Sequence, residues 1–143
     1  MSKILVAFGS TTGSTETLAE EIVEKLEAAS HEVNLTNVTD IEIDELDTEY
    51  DIYLLGSSTW GDADVEFQED FEEFYEDMEG KDLSGKKFAV FGCGDTSFPN
   101  FCGAVDELEK RIKELGGNLV TSGLKVEGEV EEADLDNWLS KIL

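Results

Sequence analysis

Residues 4–26 of the chain read ILVAFGSTTGSTETLAEEIVEKL, and this stretch joins three different patterns. Residues 4–8 are an unbroken apolar run, as expected of a β-strand that is buried on both faces of a sheet. Residues 9–15 contain only glycine, serine and threonine. From Leu18 to Leu26 the apolar residues recur with the 3.6-residue period of an α-helix. The stretch therefore predicts a strand, a hydroxyl-rich turn and a helix in immediate succession.

Other stretches of the chain also have the patterns of strands. Residues 50–56 and 88–92 are nearly continuous apolar runs, which predict two more strands covered on both faces. Val33, Leu35 and the neighbourhood of Val38 alternate with polar residues, as an edge strand does. Residues 118–126 predict a fifth strand, which Ser122 and Gly123 interrupt.

Apolar residues at helical spacing lie between these strands. Three stripes follow the one that ends at Leu26, and they comprise Phe67, Phe71, Phe74 and Met78; Val105, Leu108, Ile112 and Leu115; and Leu135, Trp138, Leu139 and Ile142. Gly116 and Gly117 are expected to stop the second of these helices. The alternation predicts an α/β protein with a doubly wound parallel sheet and right-handed crossovers. Because a domain has ~150 residues, residues 1–143 are expected to form a single domain.

The chain carries 35 acidic residues against 10 basic ones, a formal net charge of −25. Nucleic acids and anionic membranes bind through lysine and arginine, so both are disfavoured as partners. The macromolecular partner that this charge favours is a basic protein surface, which electrostatic attraction steers into place. The alternative is that the charge serves solubility alone.

The numbers of cysteines and histidines and the lengths of the apolar runs exclude further classes of protein. Two cysteines cannot form a disulfide scaffold, and a single histidine, His31, leaves no site with several histidine ligands. No apolar run approaches the ~20 residues of a membrane-spanning helix. The apolar residues 4–8 are too few for a signal peptide. The sequence therefore predicts a cytoplasmic protein without a metal site.

Ligands of doubly wound sheets bind beyond the carboxyl ends of the strands, so the loops after the first, third and fourth strands matter most. The first loop, residues 9–15, offers five hydroxyls and the backbone N–H groups of a helix N-terminus. No lysine or arginine lies between Lys3 and Lys25, so this loop can bind a phosphate only through neutral donors and the helix dipole. The alternative is a helix cap, which needs one hydroxyl, that of Ser14 or Thr15.

Aromatic residues follow the next two buried strands. The second loop, residues 57–64, is SSTWGDAD, and the third, residues 93–103, is CGDTSFPNFCG. Trp60 and Phe98 thus place one ring in each loop, and two rings beside a phosphate loop predict a planar phosphorylated ligand, which describes FMN. No Gly-Lys-Ser/Thr and no Gly-x-Gly-x-x-Gly motif follows the first strand, so ATP, GTP and NAD are disfavoured.

The whole chain resembles the flavodoxins of sulfate-reducing bacteria, of the short-chain type without an inserted loop in the fifth strand. The resemblance rests on STTGST at 10–15, STWGD at 58–62 and CGD at 93–95. It implies a flavodoxin-like sheet of five parallel strands in the order 2-1-3-4-5, with helices on both faces, and non-covalently bound FMN. Phe98 stands where close relatives usually have tyrosine, and Pro99 bears on the path of the third loop.

The resemblance also implies a role for individual residues. The FMN phosphate would be held by Ser10, Thr11, Thr12, Gly13, Ser14 and Thr15. Ser58, Thr59 and Trp60 would contact phosphate and ribityl. Trp60 would cover one flavin face, Phe98 would cover the other, and the Gly61-Asp62 peptide would meet flavin N5. The pyrimidine edge would meet the backbone at Cys93, Gly94, Asp95, Asn100 and Cys102.

The resemblance implies that the protein is a low-potential one-electron carrier and not an enzyme. The carrier would cycle between the semiquinone and hydroquinone states of its flavin. Its partners would be basic redox proteins, namely donor and acceptor oxidoreductases or cytochromes. Asp62, Asp64, Glu66 and Asp95 lie in or beside the flavin loops and are expected to form the docking surface. The carrier is expected to be a monomer.

Three other functions share part of this pattern. A phosphoacceptor receiver domain needs acidic residues after the first and third strands, where this chain has Gly9-Ser10 and Gly56-Ser57. An FMN-dependent reductase needs a substrate pocket over the flavin, which two covering rings would close. Turnover of a quinone with a nicotinamide donor, without any added reductase, would identify such an enzyme. A dithiol redox site has two residues between its cysteines, whereas eight separate Cys93 from Cys102.

Overall fold

The computed structural model describes residues 3–9, 14–40, 50–57, 59–60, 66–67, 74–78, 80, 82–93, 103–121, 123–126 and 131–142. In these ranges the strands are β1 (Lys3–Gly9), β2 (Glu32–Asn37), β3 (Ile52–Ser57), β4 (Thr59–Trp60), β5 (Glu66–Phe67), β6 (Lys87–Cys93), β7 (Asn118–Leu119) and β8 (Leu124–Val126). The helices are α1 (Ser14–Ala28), α2 (74–77), α3 (Gly103–Glu114) and α4 (Glu132–Ile142), with a 3₁₀ turn at Val38–Asp40. No helix in this described part of the chain is both long and apolar enough to cross a membrane.

A parallel sheet forms the centre of the fold. Its strand order is β2-β1-β3-β6-β7, and β8 also pairs with β6. Asn118 of β7 pairs with Lys87 at the start of β6, and Val126 of β8 pairs with Cys93 at its end. β7 and β8 are therefore two halves of a fifth strand, with residues 120–123 between them. The expected order 2-1-3-4-5 is confirmed, and the fifth strand has a short break rather than a long insertion.

The strands of the sheet divide their side chains between two buried cores. In β1, Ile4, Val6 and Phe8 belong to the core beneath α1 and α4. Leu5 and Ala7 belong to the core beneath α2 and α3. Successive residues of a strand point to opposite faces, so a strand with helices on both faces is apolar at every position. This arrangement accounts for the unbroken apolar run at 4–8 and confirms that helices cover both faces.

The helical stripes fill these cores. The predicted residues of α1 and α4 are buried, namely Leu18, Ala19, Ile22, Leu26, Leu135, Trp138, Leu139 and Ile142. α3 ends in a Schellman motif, in which Gly117 donates its N–H to the Ile112 carbonyl at 2.9 Å and Gly116 donates to the Lys113 carbonyl at 3.1 Å. Gly116 has a φ of +90°, a conformation that favours glycine. The prediction that these two glycines stop the helix is confirmed.

Some predicted boundaries were wrong. Phe67 lies in β5 and not in a helix, because residues 66–67 form an antiparallel pair with β4. Their backbone is therefore extended and not helical. Phe71 lies outside the described residues, whereas Phe74 and Met78 are buried as predicted. The edge strand β2 ends at Asn37, and Val38 begins the 3₁₀ turn, which buries its side chain in the core beneath α2 and α3.

The third strand begins at Ile52, two residues later than predicted. Tyr50 lies before it at the amino edge of the sheet, where its hydroxyl accepts a hydrogen bond from Asn34 Nδ2 at 2.7 Å. The Tyr50 side chain therefore contacts the edge strand through its hydroxyl, while residue 50 itself lies outside the strand.

Gly56 shapes the sheet just before the carboxyl end of β3. It pairs with Phe91 of β6, and a Cβ at this position would overlap the Phe91 ring. That ring packs edge-on against Trp138 of α4, with centroids 6.3 Å apart. The missing side chain lets an aromatic ring fill the space directly beneath the end of the strand.

Candidate functional site

Three neighbouring strands end level with one another at one edge of the sheet. Gly9, the last residue of β1, pairs with Ser57, the last residue of β3. Gly56 pairs with Phe91, so β6 ends at Cys93 close to the same level. The chain segments that begin at residues 10, 58 and 94 therefore leave the sheet side by side. This is the edge at which doubly wound proteins bind their ligands.

The first of these segments leads directly into a helix. Only residues 10–13 separate the end of β1 from Ser14, the first residue of α1. α1 has 15 residues, and its first turn contains an acidic residue, Glu16, and no basic one. The N–H groups of a first helical turn have no partner within the helix and carry partial positive charge. The N-terminus of α1 thus offers neutral donors beside the ends of β1 and β3.

A short hairpin follows β3 at the same edge. In the antiparallel pair β4–β5, Thr59 lies opposite Phe67 and Trp60 lies opposite Glu66. Five residues, 61–65, connect the two paired strands in the sequence. Backbone hydrogen bonds of this kind restrict the chain at the paired residues before and after this connection. Trp60 is therefore held by a ladder and not only by a loop, and Glu66 is its direct neighbour across that ladder.

The strand β8 borders the end of β6. Val126 pairs with Cys93, the last residue before the third segment, and α3 begins at Gly103, immediately after that segment. Lys125 of β8 forms an ion pair with Asp106 of α3, with 2.8 Å between Nζ and Oδ1. The lysine charge at this edge is therefore paired with a carboxylate.

The structure brings together the backbone positions of part of the predicted site. Ser14 and Thr15 begin α1, Thr59 and Trp60 form β4, and Cys93 ends β6. The remaining predicted site residues lie outside the described residues, namely Ser10, Thr11, Thr12, Gly13, Ser58, Gly61, Asp62, Gly94, Asp95, Phe98, Asn100 and Cys102. The described members come from all three predicted loops and from one edge of the sheet.

Three other lysines of the described chain, Lys3, Lys25 and Lys87, are remote from this edge. Lys3 begins β1 and Lys87 begins β6, which places both at the opposite, amino edge of the sheet. Lys25 lies in the last turn of α1, where it pairs with Asp136 at 2.8 Å and Glu132 at 3.2 Å. Hydrogen bonds to these two carboxylates raise the pKa of Lys25 above its ordinary value.

The sequence model of one protein family covers most of the chain. The flavodoxin model matches residues 6–140. The chain belongs to the flavodoxin family. The flavodoxin of Maridesulfovibrio salexigens is 45% identical over 142 residues, which cover 99% of this chain and 97% of that protein. The flavodoxin of Nitratidesulfovibrio vulgaris is 37% identical over 145 residues, covering 100% of this chain and 98% of the relative. The resemblance to flavodoxins of sulfate-reducing bacteria is confirmed.

Solved flavodoxin structures have the same fold. The crystal structure of oxidised flavodoxin 2 from Bacillus cereus has a TM-score of 0.86 and 43% identity, and the match covers 97% of this chain and 96% of that one. Flavodoxins are electron-transfer proteins and not enzymes, so membership in the family confirms the carrier interpretation. The receiver, reductase and dithiol alternatives are accordingly rejected.

The residues at the carboxyl ends of β1, β3 and β6 are chemically suited to binding a flavin nucleotide. The N-terminus of a 15-residue helix, preceded in the sequence by hydroxyl-bearing residues, is suited to binding a phosphate group.

The hairpin was missed by sequence reasoning, because Phe67 also fits the helical stripe that contains Phe74 and Met78. The available signal was the turn-prone GDAD sequence at 61–64, which follows a strand and precedes two residues able to pair back.

Proposed function

We propose that this protein is a low-potential one-electron carrier that binds FMN non-covalently at the carboxyl edge of β1, β3 and β6. In this proposal residues 1–143 form a single FMN-binding domain that works in the cytoplasm as a monomer. The observation that carries it is the start of α1: only residues 10–13, three of which carry hydroxyls, connect this helix N-terminus to the end of β1, which pairs with the end of β3. Because no lysine or arginine lies between Lys3 and Lys25, this part of the chain can bind a phosphate dianion only through neutral donors and the helix dipole.

The phosphate is assigned to the turn between β1 and α1. Ser10, Thr11, Thr12, Gly13, Ser14 and Thr15 would donate backbone N–H groups and hydroxyls to it, and Ser58 and Thr59 would complete the contacts from the next strand end. Because the donors are neutral, binding gains its strength from several hydrogen bonds to one charged group and from the helix dipole.

The flavin ring is assigned to the two loops that follow β3 and β6. Trp60 would cover one face and Phe98 the other, with the Gly61-Asp62 peptide at the ring edge. Cys93, Gly94, Asp95, Asn100 and Cys102 would meet the pyrimidine edge. When bound, FMN supplies the one-electron chemistry, while the protein binds and orients the ring and excludes water from it. The ladder position of Trp60, opposite Glu66, supports its assignment as a fixed wall of the site.

The absorption spectrum of the purified protein tests this function. We expect a yellow protein with the bands of oxidised flavin, and a colourless apoprotein that recovers them when FMN is added. The matched comparison is riboflavin, which has the same ring without the phosphate and is expected to bind far more weakly. A colourless protein that does not bind FMN would reject the proposal.

The redox partners are proposed to be basic proteins, donor and acceptor oxidoreductases or cytochromes, that dock on the acidic flavin edge. Residues 62–82 contain 11 carboxylates and a single basic residue, Lys81. Asp62, Asp64, Glu66 and Asp95 would form the docking surface. The lysines that begin β1 and β6 lie at the far edge of the sheet, so attraction to a basic partner favours approach by the flavin edge.

Ionic strength is expected to control electron transfer to such a partner. The second-order rate constant with a basic cytochrome should fall roughly tenfold or more as salt rises from low to physiological concentration, because salt screens long-range attraction. Stopped-flow kinetics over a salt series measures this dependence. Glu66→Gln should make it shallower, while Glu76→Gln, an exposed position of α2, serves as the control. A rate constant that does not change with salt would contradict the docking proposal.

A further inference from the structure

The strand β8 contacts both ends of the chain segment 94–102. Before the segment, Cys93 of β6 pairs with Val126. After it, α3 begins at Gly103, and Asp106 in the first turn of α3 forms an ion pair with Lys125. The Lys125 Nζ lies 2.8 Å from one oxygen of the Asp106 carboxylate and 3.0 Å from the other. A single short strand therefore joins the two places where this segment leaves and re-enters the described fold.

A second contact joins the next turn of α3 to the residue just before β8. The carboxylate of Glu109 accepts the backbone N–H of Gly123. Burial raises the pKa of Glu109 above its ordinary value, and this hydrogen bond opposes the increase. Glu109 therefore supplies a side-chain acceptor to the backbone at the break in the fifth strand.

The helix also approaches Gly123 too closely for any side chain. A Cβ at this position would overlap Cγ1 of Val105 and would lie 3.2 Å from the carbonyl oxygen of Val90 in β6. Glu109 is four positions after Val105 and three after Asp106 on α3, so it is a neighbour of both on the helix surface. We call Val105, Asp106, Glu109, Gly123 and Lys125 the α3–β8 contact.

The ion pair of the α3–β8 contact is too exposed to matter much for global stability. The side chains of Lys125 and Asp106 keep 36% and 59% of their accessible surface. Pairs of this kind stabilise a fold only weakly. Their position is more informative than their strength, because they hold the first turn of α3 against the strand that also pairs with Cys93.

We propose that the α3–β8 contact positions the loop 94–102 on the flavin ring by fixing the spacing and direction of its two ends. Lys125, Asp106, Glu109 and Gly123 are in this sense positioning residues, which act through the loop. The inference rests on the proposed function, in which this loop meets the pyrimidine edge. A loop whose ends are already fixed loses less conformational entropy on binding, so fixed ends increase affinity.

The test compares the binding of two flavins to apoprotein variants. Lys125→Met removes the ion pair, and we expect the dissociation constants of FMN and riboflavin to rise by the same factor, roughly two- to five-fold. The factor is shared because both ligands contain the ring that the loop contacts. Gly123→Ala forces α3 away from the break, and a larger shared factor is expected, up to roughly a hundredfold.

Two control variants separate positioning from general effects of charge and stability. Lys25→Met removes the same charge and breaks the pairs with Glu132 and Asp136 between α1 and α4, and it should leave both dissociation constants unchanged. Lys125→Arg retains the pair with Asp106 and should restore the affinity that Lys125→Met loses. Urea unfolding of each apoprotein defines conditions in which every variant is fully folded, so that a loss of stability alone does not alter the measured affinity.

Each outcome has a defined meaning. Unchanged affinity for both flavins in Lys125→Met overturns the inference, even where Gly123→Ala does not fold. Weaker binding of FMN alone also overturns it, because Lys125 would then act on the phosphate by its charge. Failure of the unmodified apoprotein to bind either flavin rejects the proposed function itself, which distinguishes the two failures.

Discussion

Replacing Thr12 or Thr15 by alanine is expected to weaken FMN binding by about 1.5–3 kcal/mol, the usual contribution of a hydrogen bond to a charged group. That loss corresponds to a roughly 10- to 150-fold higher dissociation constant. Thr15 is the second residue of α1, and Thr12 lies among the four residues that connect β1 to this helix in the sequence. Riboflavin has no phosphate, so its affinity should not change in either variant. Titration of the apoprotein with each flavin measures both constants.

The same titrations carry their own controls. Ser140→Ala removes a hydroxyl that donates to the Asn137 carbonyl within α4, near the end of that helix, and should leave FMN binding unchanged. The phosphate contribution, measured as the difference between FMN and riboflavin, should depend only weakly on salt because its donors are uncharged. Equal affinities for FMN and riboflavin in the unmodified protein would reject the assignment of the turn.

Neutralising Asp62 or Asp95 is expected to raise the potential of the second one-electron reduction by tens of millivolts. That reduction adds negative charge to a ring from which Trp60 and Phe98 are proposed to exclude water. A carboxylate ~6 Å from the ring, at an effective dielectric of ~40, would repel the charge by about 1.4 kcal/mol. For a one-electron couple this energy equals about 60 mV. The first reduction should change less, because a proton can accompany the electron.

Spectroelectrochemical titration of Asp62→Asn and Asp95→Asn measures both potentials. Asp77→Asn makes the same change of charge at an exposed position of α2 and should leave the second potential where it is. If the two site variants also leave it unchanged, carboxylate repulsion does not set the potential of this flavin.

The parts of the fold that follow from sequence are those in which local pattern and burial agree. β1 and α1 are examples, because a strand covered on both faces and a helix with a single apolar stripe each require one residue pattern. Gly116 and Gly117 predicted the end of α3 because a left-handed turn favours glycine. The family and the edge of the sheet that holds the candidate site were also predicted.

The errors come from places where pairing between distant residues decides the structure. Phe67 fits a helical stripe, yet the partner across the hairpin, Thr59, draws it into a strand. Val38 lies next to the alternating residues of β2, yet it begins a 3₁₀ turn that buries its side chain. The α3–β8 contact was not predicted either, because nothing in the spacing of Glu109 and Gly123 reveals that one accepts a hydrogen bond from the other.

The separation of charge along the strands has a consequence for electrochemistry. Lys3 and Lys87 lie where β1 and β6 begin, while Asp62, Asp64 and Glu66 follow the end of β3 and Asp95 follows the end of β6. An electrode coated with amines attracts the carboxylate-rich end, and the molecule adsorbs with its proposed flavin edge against the surface. Electrons then cross a short gap without any mediator. A carboxylate-coated electrode repels that end and keeps the flavin away from the surface. The coating of the electrode therefore determines whether electrons pass directly between electrode and protein.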